Sequence, residues 1–151
     1  MAAATATVGC PEDGSGVSGS ADALALWSPA LDPTRDGWFA RLLAGRASPA
    51  DLAPVEHVGR GVPPTAIVIG AEDTLTPLDG AKKFCARARE REQRCELFVY
   101  EGVGHLLTRN LAQQERDFDP DPKKRADGIE KLDGFLAELG YLPAVRSAVS
   151  R

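Results

Sequence analysis

The sequence predicts an α/β fold, parallel strands with flanking helices, and three observations carry that expectation. Residues 65–70, Thr-Ala-Ile-Val-Ile-Gly, are a continuous apolar and β-branched run, the pattern of a parallel strand buried on both faces. Residues 95–100, Cys-Glu-Leu-Phe-Val-Tyr, read as a second strand. Between them Leu78, Ala81, Phe84, Cys85 and Ala88 fall on one face of a helix, with Lys82, Lys83, Arg87 and Arg91 elsewhere. Strand, helix and strand so closely spaced make a βαβ unit, whose crossover is right-handed and whose strands run parallel. The helix start is marked by Thr76 as N-cap, Pro77 at the first helical position and Asp79 near the positive end of the dipole.

The flanking sequence supplies further elements. Residues 1–8 are small and apolar with good helix content but no capping residue in front, as in a helix entered midway. Residues 9–20 are Gly, Ser, Pro and acid, a loop by composition, and residues 23–27 are a short apolar run that suits a buried strand. Pro29, Pro33 and Asp36-Gly37 then break the chain. Trp38, Phe39, Leu42 and Leu43 recur at helical spacing and predict a short amphipathic helix before the Pro-rich stretch that runs to Pro63-Pro64. A later helix starts at Asp121-Pro122, places Ala126, Ile129, Leu132, Phe135, Leu136 and Leu139 on one face, and ends at Gly140, long enough to cover the sheet. Residues 106–119 are polar with no convincing element, and residues 144–151 read as a frayed tail.

Composition excludes several functions. The chain has 151 residues, 43% hydrophobic and 26% charged, enough for one domain with one core. A net charge of -4 and a pI near 5.2 argue against a nucleic-acid partner, because phosphate binding rests on clustered Lys and Arg. Lys82-Lys83 and Lys123-Lys124-Arg125 sit beside acids on predicted helices and read as solvated faces. No apolar run approaches the roughly 20 residues that span a bilayer, so no membrane partner is expected, and the N-terminus lacks the regions of a signal peptide. Cys10, Cys85 and Cys95 have no C-x-x-C spacing and only two histidines accompany them, so neither a metal site nor a cofactor is expected. Cys85 and Cys95 read as two small buried hydrophobes in a reduced protein, with a disulfide between them the lesser reading.

Parallel strands expose all their carboxyl ends on one edge, and ligands of open α/β sheets bind outside that edge. Asp73 lies three residues past the first strand, and His105 five past the second, in Glu101-Gly-Val-Gly-His105. Neighbouring strands are about 4.8 Å apart, so two short loops on one edge bring a carboxylate to an imidazole. Such a pair fixes the histidine tautomer and stabilises the imidazolium formed when the ring takes a proton from a hydroxyl nucleophile. Gly102 and Gly104 let the backbone turn sharply enough to present the ring.

Two segments, Pro63-Pro-Thr-Ala-Ile-Val-Ile-Gly-Ala-Glu-Asp-Thr-Leu-Thr-Pro77 and Glu96-Leu-Phe-Val-Tyr-Glu-Gly-Val-Gly-His105, resemble the acid and histidine segments of the esterase/lipase branch of the α/β-hydrolase superfamily. The resemblance runs over roughly residues 23–139 and implies the C-terminal portion of an α/β-hydrolase fold, with Asp73 as triad acid and His105 as triad histidine. Within the branch, acetylesterases and feruloyl-esterase-like enzymes are most similar, which implies a small-molecule or carbohydrate acyl ester as substrate. Family members carry Gly-x-Ser-x-Gly on a strand-to-helix elbow upstream of the acid, and no such motif occurs here. Ser28, in Trp27-Ser-Pro29, ends a predicted strand but lacks the flanking glycines of an elbow, and reads as a structural turn serine. His57, in a Pro-rich loop, reads as a structural or surface histidine. Residues 1–8 resemble the helix that follows the family's serine segment, which makes Met1 an internal position of that pattern.

The expectation is therefore a single partial domain over residues 1–151 that carries acid and base without nucleophile or oxyanion hole, and is inactive alone. Two other readings stand beside it: a non-catalytic half-domain or half of a split hydrolase, and a serine peptidase or dienelactone-type hydrolase of the same fold. Trp27, Trp38, Phe39 and Leu107 lie near the predicted mouth, where they line a pocket or belong to the core.

Overall fold

The computed structural model describes residues 2–9, 19–59, 61–116 and 118–143. Most of the loop expected over residues 9–20 and the tail expected over residues 144–151 lie outside the described residues. Three strands, β1 (Leu24–Trp27), β2 (Thr65–Gly70) and β3 (Cys95–Tyr100), form a sheet in the order β1-β2-β3, with both pairings parallel. Among the described residues four α-helices accompany them: α1 (Ala2–Val8), α2 (Gly37–Leu43), α3 (Leu78–Glu90) and α4 (Pro122–Glu138). Thr65 stands opposite both Leu24 and Cys95, and Gly70 opposite Tyr100, so β2 and β3 end level and their following loops leave side by side.

The central strand explains the two-layer cover. Every residue of β2 is buried, and its side chains alternate between faces with the period of two that a strand imposes. Ile67 and Ile69 join Ala81, Phe84, Cys85 and Ala88 of α3, with Leu31 and Val55, in one apolar cluster. Val68 joins Val103 and Leu107, with Trp27, Phe98, Tyr100 and Leu132 packed around them, in the other. Phe84 has no exposed surface, and burying a side chain of that size contributes about 2 to 3 kcal/mol.

Four points of the structure correct or extend the sequence reading here. First, α3 starts one residue later than expected: Pro77 occupies the cap position with no side-chain cap bond, because the Thr76 hydroxyl is engaged by Asp73 and by the carbonyl of Ser28. Second, α4 is turned relative to its expected face. Gly128 and Phe135 are buried while Ala126 and Ile129 are exposed, and Gly128 packs directly against Trp27 and Val68. A Cβ there would lie 2.9 Å from the Trp27 ring and 3.1 Å from Val68.

Third, the Pro-rich stretch carries 3-10 turns at Pro49–Leu52 and Pro54–His57, each with proline at its start, and a Ser48–Asp51 capping box closes the first. Fourth, Cys85 and Cys95 are joined in a disulfide with Cα atoms 5.2 Å apart, tying α3 to the first residue of β3. Both half-cystines lie in the core beneath α3, so pairing removes two thiols from an apolar site. No described helix is long and apolar enough to cross a membrane.

Candidate functional site

The loops after β2 and β3 are joined from their first residues. Ala71 donates its amide to the Tyr100 carbonyl at 2.9 Å, and Glu72 to the Val103 carbonyl at 3.2 Å. The Glu72 carboxylate returns the contact, accepting from the amides of Gly102 at 3.2 Å and Val103 at 3.1 Å. Only glycine fits where the loops cross. A Cβ on Gly70 would lie 2.3 Å from the carbonyl oxygens of Val103 and Gly104, so any side chain would push the second loop off the first.

This crossing brings Asp73 and His105 together as the sequence led one to expect. His105 Nδ1 lies 3.0 Å from Asp73 Oδ2 and 3.2 Å from Oδ1. The Asp73 carboxylate is fully enclosed, whereas the imidazole keeps 17% of its surface exposed. Asp73 Oδ1 also accepts from the amides of Leu75 at 3.0 Å and Thr76 at 2.8 Å, and Oδ2 from the Thr76 hydroxyl at 2.8 Å. Burial, the largest single influence, pushes the Asp73 carboxyl up. The hydrogen bonds from His105 and from the Thr76 amide and hydroxyl together outweigh it and hold the group below its ordinary value. An ionised carboxylate on Nδ1 fixes the Nδ1–H tautomer and leaves Nε2, across the ring, as the nitrogen able to accept a proton.

The turn that presents the ring is not made by both glycines. Gly102 takes φ 73°, a left-handed conformation, but Gly104 does not. The left-handed residues after it are Leu106 at φ 52° and Leu107 at φ 61°, which cost on the order of 1 to 3 kcal/mol each. The surrounding bonds hold them there: Leu106 donates its amide to Ser28 Oγ at 3.0 Å, and Gly104 donates to the Thr108 carbonyl at 2.8 Å.

Ser28 is itself left-handed, at φ 43°, and 5% exposed. Its hydroxyl receives the histidine loop while its carbonyl lies 3.1 Å from Thr76 Oγ1, which has one proton to divide between that carbonyl and Asp73, so the end of β1 contacts both loops. The structural role expected for Ser28 agrees with these contacts. His57 bonds the Ala50 carbonyl through Nε2 at 3.0 Å within the Pro-rich segment, also a structural contact.

Beside the imidazole lies an open cleft of about 320 Å³ lined by Trp27, Leu106, Phe118, Pro120, Arg125 and Ile129. The Phe118 ring centroid is 6.2 Å from that of His105. Of the residues expected at the mouth, Trp27 lines this cleft. Leu107 is fully buried in the core, because the turn after His105 sends Leu106 outward in its place. Phe39 does not line it, and the side chain of Trp38 lies outside the described residues. Sequence reasoning missed the bracing roles of Thr76, Ser28 and Glu72, whose signal was only that each sits within a few residues of a strand end.

A parallel sheet with flanking helices, two loops converging on one carboxyl edge and a carboxylate on the histidine between them define part of an α/β-hydrolase fold of the esterase type. Solved structures similar to it include esterases. The native esterase 2 of the planctomycete Thermogutta terrifontis superimposes with a TM-score of 0.73 at 27% identity, covering 96% of this chain and 53% of that one. The same esterase phosphoramylated by tabun gives 0.73 at 28% identity, covering 93% and 51%, and its butyrate-bound form 0.72 at 27%, covering 93% and 53%. The chain thus spans about half the length of the esterases it resembles. No protein-family model and no curated protein matches it.

Proposed function

We propose that the chain is the acid- and histidine-bearing, C-terminal part of a serine-esterase-type carboxylic-ester hydrolase, with Asp73 as triad acid and His105 as general base. The observation that carries this reading is the enclosed Asp73 carboxylate on His105 Nδ1, at the edge where adjacent parallel strands end. The esterase likeness over 93% of the chain supports it. The nucleophilic serine and the oxyanion donors come from polypeptide outside this sequence, since Ser28 Oγ is buried and occupied by the Leu106 amide.

In the reaction, His105 Nε2 takes the proton of the serine hydroxyl as its oxygen bonds to the ester carbonyl. The imidazolium, stabilised by Asp73, then gives that proton to the departing alkoxide as the C–O bond breaks, leaving an acyl-enzyme. Water, deprotonated by the same nitrogen, hydrolyses the acyl-enzyme and restores the serine. The apolar cleft beside His105 suits a small acyl or alcohol group, and the substrate class is a small-molecule acyl ester, including acylated carbohydrates of the acetylesterase and feruloyl-esterase kind. Supplying the chain with a serine-elbow segment and assaying acetyl, feruloyl and peptide substrates tests the class. Turnover of the esters with none of the peptides is expected, and preferential peptide cleavage would replace this reading with a peptidase of the same fold.

A further inference from the structure

Gln114 sits in the turn-rich segment after the histidine loop, where the sequence shows no regular element, yet it is only 5% exposed. Its carboxamide makes four hydrogen bonds. Oε1 accepts from the His105 amide at 2.8 Å and the Thr74 amide at 3.2 Å, while Nε2 donates to the Glu72 carbonyl at 2.8 Å and the Leu111 carbonyl at 3.4 Å. That is the full capacity of a carboxamide. Because both Oε1 partners are donors and both Nε2 partners are acceptors, the orientation of the group is fixed by chemistry.

The partners are informative. Glu72 and Thr74 are the two neighbours of Asp73, and the His105 amide is the backbone of the base itself. One side chain thus clamps the acid from both sides and the base from behind. Gly104 completes the fit: a Cβ there would lie 2.3 Å from Gln114 Cδ and 2.4 Å from Oε1, so the carboxamide occupies space that any other residue at 104 would take. No substitute keeps both the shape and the donor and acceptor pattern. A glutamate would set a carboxylate oxygen against two carbonyls, and an apolar side chain would leave two amides and two carbonyls without this partner.

We infer that Gln114 is the positioning residue that holds His105 in register with Asp73, an inference that rests on reading those two as an acid–base pair. Gln114 touches neither imidazole nor carboxylate. It acts through the two backbones, and a displacement of about 1 Å between a base and its partner is enough to cost about 100-fold in a reaction that depends on them.

The test uses the chain as it is and reads the ring directly. In proton and nitrogen NMR spectra the wild type should show a low-field Nδ1–H resonance for His105 that Asp73→Asn removes. In Gln114→Leu and Gln114→Met that resonance should disappear or exchange with water at least about tenfold faster, while the strand amides stay dispersed. In the wild type itself the Thr74 and His105 amides should exchange slowly despite lying in loops, which tests the clamp without any substitution. A merely structural Gln114 would lower the melting temperature and leave the ring resonance as in the wild type, and that result, or fast exchange of both amides, overturns the inference. Absence of the resonance from the wild type, or its survival in Asp73→Asn, would instead overturn the acid–base pair and the inference with it.

Discussion

Thr76 Oγ1 lies 3.2 Å from His105 Nδ1, the nitrogen that Asp73 also holds, so a residue two positions before α3 touches both members of the pair. The hydroxyl carries one proton and two lone pairs, enough to donate to Asp73 or to the Ser28 carbonyl while accepting from the ring. Thr76→Val removes this link and should cost about 1 to 2 kcal/mol, the worth of a hydrogen bond to a charged group reduced by its partial exposure. Thr76→Ser should retain most of it. Urea unfolding at neutral pH checks both, and equal stability of the wild type and the valine variant would contradict the role assigned to the hydroxyl.

The depressed pKa of Asp73 makes a signed prediction. Burial raises the carboxyl, but the bonds from His105 and Thr76 prevail, so its folded pKa lies below the unfolded value of about 3.9. The stabilisation is complete above that unfolded value and is lost as pH falls through the folded pKa. Urea midpoints followed downward from pH 5 should therefore fall more steeply for the wild type than for Asp73→Asn, which has no proton to take up. Parallel curves would show that the carboxylate is not held in its ionised form.

The Cys85–Cys95 bridge closes a short loop, a sequence separation of 10, and on the chain-entropy account contributes about 3 kcal/mol. The Cys85→Ala, Cys95→Ala double variant should lose roughly that amount in chemical denaturation with its parallel sheet retained. Unchanged stability in non-reducing buffer would mean that the thiols are not paired.

Much of this architecture was legible in the sequence, because β2 and β3 are continuous apolar runs and α3 has a single apolar stripe. Those patterns report burial, and burial is set by the sheet. The acid and the histidine were legible as offsets from two strand ends. What the sequence hid lies in close approaches and in polar contacts between distant segments. The rotation of α4 depends on Gly128 meeting Trp27, a contact without periodicity. Gln114 stands in a polar stretch where nothing marks one amide as buried and its neighbours as solvated. The turn after His105 rests on left-handed Leu106 and Leu107, residues whose local preference runs the other way and which a distant serine holds in place. The disulfide was not legible because a spacing of ten residues does not reveal that a helix and the next strand return to the same point.

The measurement that bears most directly on the central claim is hydrolysis of an activated acetyl ester by the purified chain, alone and supplied with a serine-elbow segment, with His105→Ala, Asp73→Asn and Ser28→Ala variants of each. Loss of a triad serine costs about six orders of magnitude in turnover, so the chain alone should remain at background. With the elbow restored, activity should appear that His105→Ala abolishes, Asp73→Asn lowers by about 10⁴-fold, and Ser28→Ala spares at the chemical step. Turnover by the chain alone that both His105→Ala and Ser28→Ala abolish would contradict the account, making Ser28 the nucleophile and the chain a complete catalyst.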